Sequence, residues 1–376
     1  MFADTLSSSP FGLGHPEHFA HANPNVISVY GDCYKAQEKI LRDLNGGMPL
    51  TQSTKKALAI SLVYVRILAY LLLYGPMQMA QERVGNDAAR SLANVTITED
   101  NLVEEIAKLG SFYEANFIRI FRDVGKGRTP THSHPSRPSF DLSREERAQL
   151  LLAPASSYSD LRKKVLLRDD YRDVLTGEMH EPYYRNKWKP EHPGQPPPVR
   201  NLGRLYCCHI ITQSFNTNLT DNKKRTSAAT AWNVLASFGY DSLLTELNGD
   251  GVHRLSNALT FADTNHKRFD AMEVWFEKTA IKHRYKIVTP MLDSQDREHF
   301  GMPEFVTFKA EGDVTESMLP DPDYLHLHAC ACKIAHMAGA SGYYDMLQEF
   351  FDENGDGTLD GFYDALNMRL QDVVLL

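Results

Sequence analysis

Residues 57–74, ALAISLVYVRILAYLLLY, form an almost unbroken apolar run with Arg66 near its middle. Such a run must leave water, either as a membrane span or as the buried core helix of a globular unit. Its 18 residues just reach spanning length. A guanidinium halfway across lipid is expensive, however. The run is therefore read as a buried helix around which the N-terminal part of the chain is organised. Periodic helical segments are expected beside it at 26–45, 77–92 and 99–121, the last opened by Thr98 ahead of Glu99 and Asp100.

At 376 residues the chain is long enough for two or three domains with cores of their own. Its net charge of −8 hides an asymmetry. Residues 1–150 carry 16 basic and 16 acidic side chains, residues 151–290 carry 20 and 15, and residues 291–376 carry 4 and 17. The basic excess falls mid-chain, where it suits capture of a phosphate backbone; the C-terminal acidic excess either solvates the surface or competes with phosphate. Five cysteines (Cys33, Cys207, Cys208, Cys330, Cys332) give an odd count with no CxxC pair. That argues against a disulfide framework and a cysteine-rich structural zinc site, and fits an intracellular compartment, nucleus or cytoplasm, with no membrane partner. The N-terminus lacks the basic start and apolar stretch of a secretory signal.

Residues 1–25 read as an irregular leader, and 125–138 as a Gly/Pro-rich connector, with no strand before it and no GK[ST] after it to make a phosphate loop. A short helix is expected at 143–153, with Ser143 and Glu146 as a capping box. Short β-prone pieces follow at 165–167 and 171–175, and the proline-rich 180–199 reads as loop. A strand is expected at 205–211, helices at 223–238, 242–247 and 263–278, partly extended chain at 291–316, and helices at 324–338 and 343–351.

The chemistry concentrates between Leu205 and Asp270. Leu205-Tyr-Cys-Cys-His209 is an apolar, β-prone run that carries a histidine to its end; Asn257 comes much later, followed by His266 and Asp270 at i, i+4. On a helix that spacing sets both side chains on one face, close enough to hold one ion. Metal-assisted phosphodiester hydrolysis needs a base for water, ligands for a divalent ion and a residue to position them. Further marks are Arg168-Asp-Asp-Tyr-Arg-Asp-Val-Leu-Thr-Gly177, Trp232-Asn-Val-Leu-Ala236, Leu247-Asn-Gly-Asp-Gly-Val-His-Arg-Leu-Ser-Asn257, Phe269-Asp-Ala-Met-Glu-Val-Trp-Phe-Glu277 and, upstream, His134-Pro-Ser-Arg-Pro-Ser-Phe-Asp141. On these, residues 134–277 resemble the HNH nucleases, and most closely a fungal group of HNH-domain proteins. The resemblance implies a ββα-metal core, a β-hairpin and a helix around one ion, in an endonuclease acting on DNA.

His209 is then the candidate general base; the plainer alternative is a packed histidine at a strand end. His266 is the candidate metal ligand, or else a solvent-facing helix histidine beside Lys267 and Arg268. Asp270 is a second ligand, a partner that orients His266, or a carboxylate paired with Arg268 or Lys267. Asn257 is grouped with the catalytic residues as the side chain that braces the loop bearing the base. Cys208 stands where many HNH enzymes carry Asp, Glu or His; it is a buried core cysteine or a soft ligand that favours zinc over magnesium. Thr212 replaces a proline often found shortly after the base. Arg254 and Lys267 are candidate nucleic-acid contacts or simply solubilising charges.

Two further patterns imitate sites. His326, His328, Cys330, Cys332 and His336 look like a metal box, but i, i+2 neighbours on a helix point about 200° apart, so only i, i+4 pairs share a face. Asp352 to Asp360 follows an EF-hand loop, with Tyr363 where the bidentate carboxylate belongs; calcium binding and a polar turn both stay open. The fold expected is α+β: a helical N-terminal region (1–150), an HNH-type ββα-metal domain (151–290) and an acidic, mostly helical region (291–376). The function expected is metal-dependent hydrolysis of DNA with magnesium, manganese or zinc. The rival is a catalytically inactive, nuclease-derived nucleic-acid-binding or scaffold protein.

Overall fold

The computed structural model describes residues 12–46, 50–122, 143–212, 222–340 and Tyr344. The 125–138 connector, the 134–141 motif, the 352–363 loop and, Tyr344 apart, the 343–351 helix lie outside the described residues. The chain divides into two compact units, one of residues 1–118, 237–239 and 333–376, the other of residues 119–236 and 240–332.

The first unit is built on α1 (Pro24–Asn45), α2 (Gln52–Tyr74), α3 (Gln78–Ala93) and α4 (Glu99–Tyr113). Asn23, Thr51 and Thr98 cap α1, α2 and α4 through their side chains, the last in a reciprocal box with Asn101. The apolar run lies within α2. The stretch Ser53–Tyr74 is long and apolar enough to cross a membrane, yet 72% of its apolar window is buried by the protein itself. Arg66 is 1% exposed and donates from Nε to Gln37 Oε1 on α1 at 2.9 Å, an acceptor shared with the Leu13 amide at 3.1 Å. A guanidinium can sit in a core only with such acceptors around it, and α1 supplies one. At Gly110, α4 approaches α2 so closely that a Cβ would lie 1.9 Å from the Tyr64 carbonyl oxygen, so only glycine fits.

The second unit is mixed helix and sheet, as α+β requires. After α5 (Arg144–Leu152) and α6 (Tyr158–Arg168), β1 (Met179–His180) pairs in parallel with β2 (Leu202–Gly203), and β3 (Leu205–His209) runs antiparallel to β4 (Ala258–Ala262). Between β3 and β4 the chain inserts α7 (Asn222–Ser237) and α8 (Ser242–Leu247), and β4 leads straight into α9 (Asp263–Asp270). An antiparallel sheet of β5 (Trp275–Lys278), β6 (Arg284–Val288) and β7 (Phe305–Thr307) follows, with α10 (Ser294–His299) before β7 and α11 (Pro322–Ala338) after it. Part of the acidic stretch is therefore framework: β7 pairs with β6, and Leu325 and Leu327 are fully buried.

Local expectations are corrected where tertiary contacts override them. Residues 165–167 are the end of α6, not a β-prone piece; Val165 and Leu167 are buried in the core beside Leu161 and Leu205. Residues 171–175, entered through left-handed Asp170 and Tyr171 at φ 50° and 55°, are extended only at Arg172, which bridges antiparallel to Met179, and then turn. The proline-rich 180–199 carries helix over 181–191: Pro182 falls in its first turn, where the missing N–H costs nothing, and Pro190 lies in its last turn, just after the π-helical turn of Tyr184–Trp188. The helix expected to reach 278 stops at Asp270: Met272 turns through φ 63°, and Trp275 and Phe276 enter β5 as buried residues. Likewise the strand from Leu205 ends at His209 rather than Ile211.

Candidate functional site

Two buried residues of the 168–177 motif set the frame. Arg168 is held by Asp169 at 2.8 and 2.9 Å and donates to the carbonyls of Leu255, Ala258 and Met318, which fixes the start of β4. Asp173 accepts five hydrogen bonds. Oδ1 takes the amides of Leu175 and Thr176 and the Thr176 hydroxyl; Oδ2 takes the Ala262 amide at 2.6 Å and Asn265 Nδ2 at 3.1 Å. It thereby joins the 171–176 turn to the start of α9, whose N-cap, Ala262, has no side chain to cap with. On the other side, the carbonyls of Leu205 and Cys207 are taken by Arg162 at 3.1 Å and the Tyr158 hydroxyl at 2.7 Å. Strand β3 is thus fixed along both edges.

This frame brings Cys208, His266 and Asp270 together. One ligand atom from each lies within 4.8 Å of the others, and among the described residues no other trio of His, Cys, Asp or Glu does so. Cys208 Sγ is 3.4 Å from Asp270 Oδ1, and His266 Nε2 is 3.3 Å from Asp270 Oδ2. Asp270 therefore faces both, rather than pairing with Lys267 or Arg268. Cys208 is 2% exposed, so it is both a core cysteine and a member of the trio. The His266 ring stacks on Tyr206, and burial pushes its pKa down to about 4, which keeps the imidazole neutral and able to ligate at pH 7. One sulfur, one nitrogen and one oxygen donor fit a zinc-type ion with three protein ligands and an open position.

His209 does not join that trio by direct contact. Its Nε2 lies 3.2 Å from Nδ1 of His253, and its ring lies against Tyr158 and His253 at 5.8 and 5.3 Å between centroids. Burial, then the neighbouring His253 and His266, push its pKa down to about 3. His253 is 5% exposed, with its pKa also lowered by burial. The pairing was missed in the sequence, although one signal was present: His253 is the only histidine between His209 and His266.

Asn257 is fully buried and clasps the chain that leaves β3. Its side chain accepts the Ile211 amide at 2.9 Å and donates to the carbonyls of Ile211 and Val252 at 3.0 Å each, while its own carbonyl accepts the Ile210 amide. It braces the segments that carry both His209 and His253. Thr212 is held to the Ile120 carbonyl through its hydroxyl and its amide, and a proline there would lack the second.

The two candidate nucleic-acid contacts are engaged elsewhere. Arg254 pairs with Glu246 at 2.9 Å and lies 3.3 Å from the Tyr324 hydroxyl; Lys267 pairs with Asp263 at 2.6 Å. On α11, His326 meets Cys330 and His328 meets Cys332, two separate i, i+4 pairs without a third ligand among the described residues. No protein-family model, curated protein or solved structure matches the chain.

Proposed function

We propose that this chain is a metal-dependent endonuclease of HNH type that hydrolyses DNA phosphodiester bonds, with β3, β4 and α9 as its ββα-metal core. The observation that carries the reading is the convergence of Cys208, at the end of one strand, with His266 and Asp270 on the helix directly after its partner strand. Cys208, His266 and Asp270 would hold the ion, which when bound would neutralise charge on the scissile phosphate and on the leaving 3′ oxygen. His209, kept neutral by burial, would take the proton of the attacking water, although a pKa held near 3 makes it a weak base and counts toward the second reading below. For that its Nε2–H must donate to His253 Nδ1, leaving Nδ1 of His209 with the basic lone pair. Asn257 holds the backbone that aims this pair. The basic excess of residues 151–290 supports a polyanionic substrate.

A second reading, a nucleic-acid-binding or scaffold protein without turnover, draws on the same histidine pair: His209 spends one ring nitrogen on His253 instead of on water. Nicking of supercoiled plasmid with added magnesium, manganese or zinc separates the two. Wild type is expected to nick, and His209→Ala to lose about 100-fold or more of that activity while keeping its fold. Equal activity in the two proteins rejects the mechanism, and no nicking with any metal favours the second reading.

A further inference from the structure

A cleft lined by three arginines lies beside α9. It has a volume of about 460 Å³ and is lined from positions 176 and 178, 200, 201 and 204, 262–265 and 268, and 299 and 300. Arg200, Arg204 and Arg268 line it, and among the described residues none of the three pairs with a carboxylate. Three other arginines of this unit are neutralised: Arg168 by Asp169, Arg172 by Asp170, Arg254 by Glu246. Two carboxylates also line the cleft. They are Asp263, already paired with Lys267 at 2.6 Å, and Glu178, two against three arginines. A positive excess remains, carried by the side chain whose planar fork of donors best matches phosphate oxygens.

We infer that this cleft is a phosphate-binding site, distinct from the metal centre and serving the same polyanionic substrate. Of the α9 residues that line it, Asp263, Thr264, Asn265 and Arg268, the arginine lies two positions, about 200° of helix rotation, from both His266 and Asp270. A strand carries a phosphate every ~3.4 Å of duplex axis. A nucleic-acid substrate repeats its phosphates along each strand, so the arginines would meet a phosphate other than the scissile one. Arg268, stacked at 4.3 Å over the Phe300 ring, is held in place for such a contact, while Arg200 and Arg204 are exposed and reach in from the segment ahead of β3. The inference rests on the proposed substrate class but not on turnover.

The test is binding in EDTA, where cleavage plays no part. Fluorescence anisotropy of a labelled 20-base-pair duplex is compared for wild type, Arg200→Ala/Arg204→Ala and, as a control outside the cleft, Lys286→Ala. The double variant is expected to bind about ten-fold more weakly, with the slope of log affinity against log salt shallower by about 2. Lys286→Ala should stay at wild-type affinity. The single Arg200→Ala variant, expected to shift the slope by about 1, stands in if the double variant misfolds by circular dichroism. Adenosine monophosphate added as competitor separates the sources of phosphate. Displacement at low millimolar that is lost in the double variant assigns the cleft to free phosphate monoesters; failure to displace assigns it to a strand backbone. A folded variant with wild-type affinity and salt slope overturns the inference, as does a wild type that binds neither probe. Plasmid nicking is a separate measurement, so loss of the nuclease reading would leave this result standing.

Discussion

At the scale of single residues, the proposed metal site makes Cys208 the donor on which the choice of ion would turn. A thiolate is a soft donor, and an Asp at the same place would be a hard one. Wild type is expected to bind zinc more tightly than magnesium, and Cys208→Asp to move the preference toward magnesium. His266→Ala should lose affinity for either ion, and Asp270→Ala should lose less. Titration calorimetry on the four proteins reads all of this, and equal affinity in wild type and His266→Ala removes the assignment. That His266 and Asp270 share a face was legible because i, i+4 spacing on a helix is local; that Cys208 meets them was a matter of strand pairing. The partner of His209 was not legible: His253 comes 44 residues later, and only the path of the chain between β3 and β4 brings the rings together.

At the scale of elements, the legible parts were those with local signatures. The box at Ser143 and Glu146, the cap at Thr98 and the long apolar helix could be read directly. The end of α9 and the helical character of 181–191 could not, because burial of Trp275 in β5 and stacking of Tyr184, Trp188 and His192 decide them. The join between the 171–176 turn and α9 rests on Asp173, two of whose bonds cross to Ala262 and Asn265. Asp173→Asn keeps the size but exchanges an accepting oxygen for a donor that faces other donors. Bonds to a charged acceptor are worth about 1.5–3 kcal/mol each, and leaving a buried donor unmatched adds to the loss. Destabilisation of about 2–4 kcal/mol is expected in urea unfolding, with loss of metal affinity because α9 is no longer held. A variant as stable as wild type would show that Asp173 is not the join.

At the scale of the whole molecule, several histidines are buried in neutral form, and His328 is the clearest. It is fully buried, stacks on Phe269 of α9 with centroids 3.9 Å apart, and burial pushes its pKa down to about 3. The unfolded chain, with a histidine pKa near 6.5, binds more protons than the folded one across the window from about 6.5 down to about 3. The stabilisation is therefore complete above pH 6.5 and is lost as pH falls, at about 1.4 kcal/mol per pH unit for each such histidine. His180, His209 and His266 add in the same direction. His328→Phe keeps the stack and removes the proton site, so its stability between pH 6.5 and 4.5 should fall less steeply by about one such increment. Urea midpoints at pH 7, 6 and 5 measure it, and parallel curves for the two proteins would show that His328 is not part of the acid response.

The long excursion between β3 and β4 also has a kinetic consequence. A tight hairpin nucleates within microseconds, because its ends are already neighbours. Here residues 210–257 must close on themselves before Cys208 can face Leu259. Closing a loop of about 50 residues instead of two costs roughly 3 kcal/mol of additional chain entropy by logarithmic scaling. The Asn257 clasp sits at the neck of that loop, tying Ile210 and Ile211 to the far side. Metal-binding competence should therefore be acquired late in refolding, after the neck has closed, and the knot that sets its timing is a single buried amide.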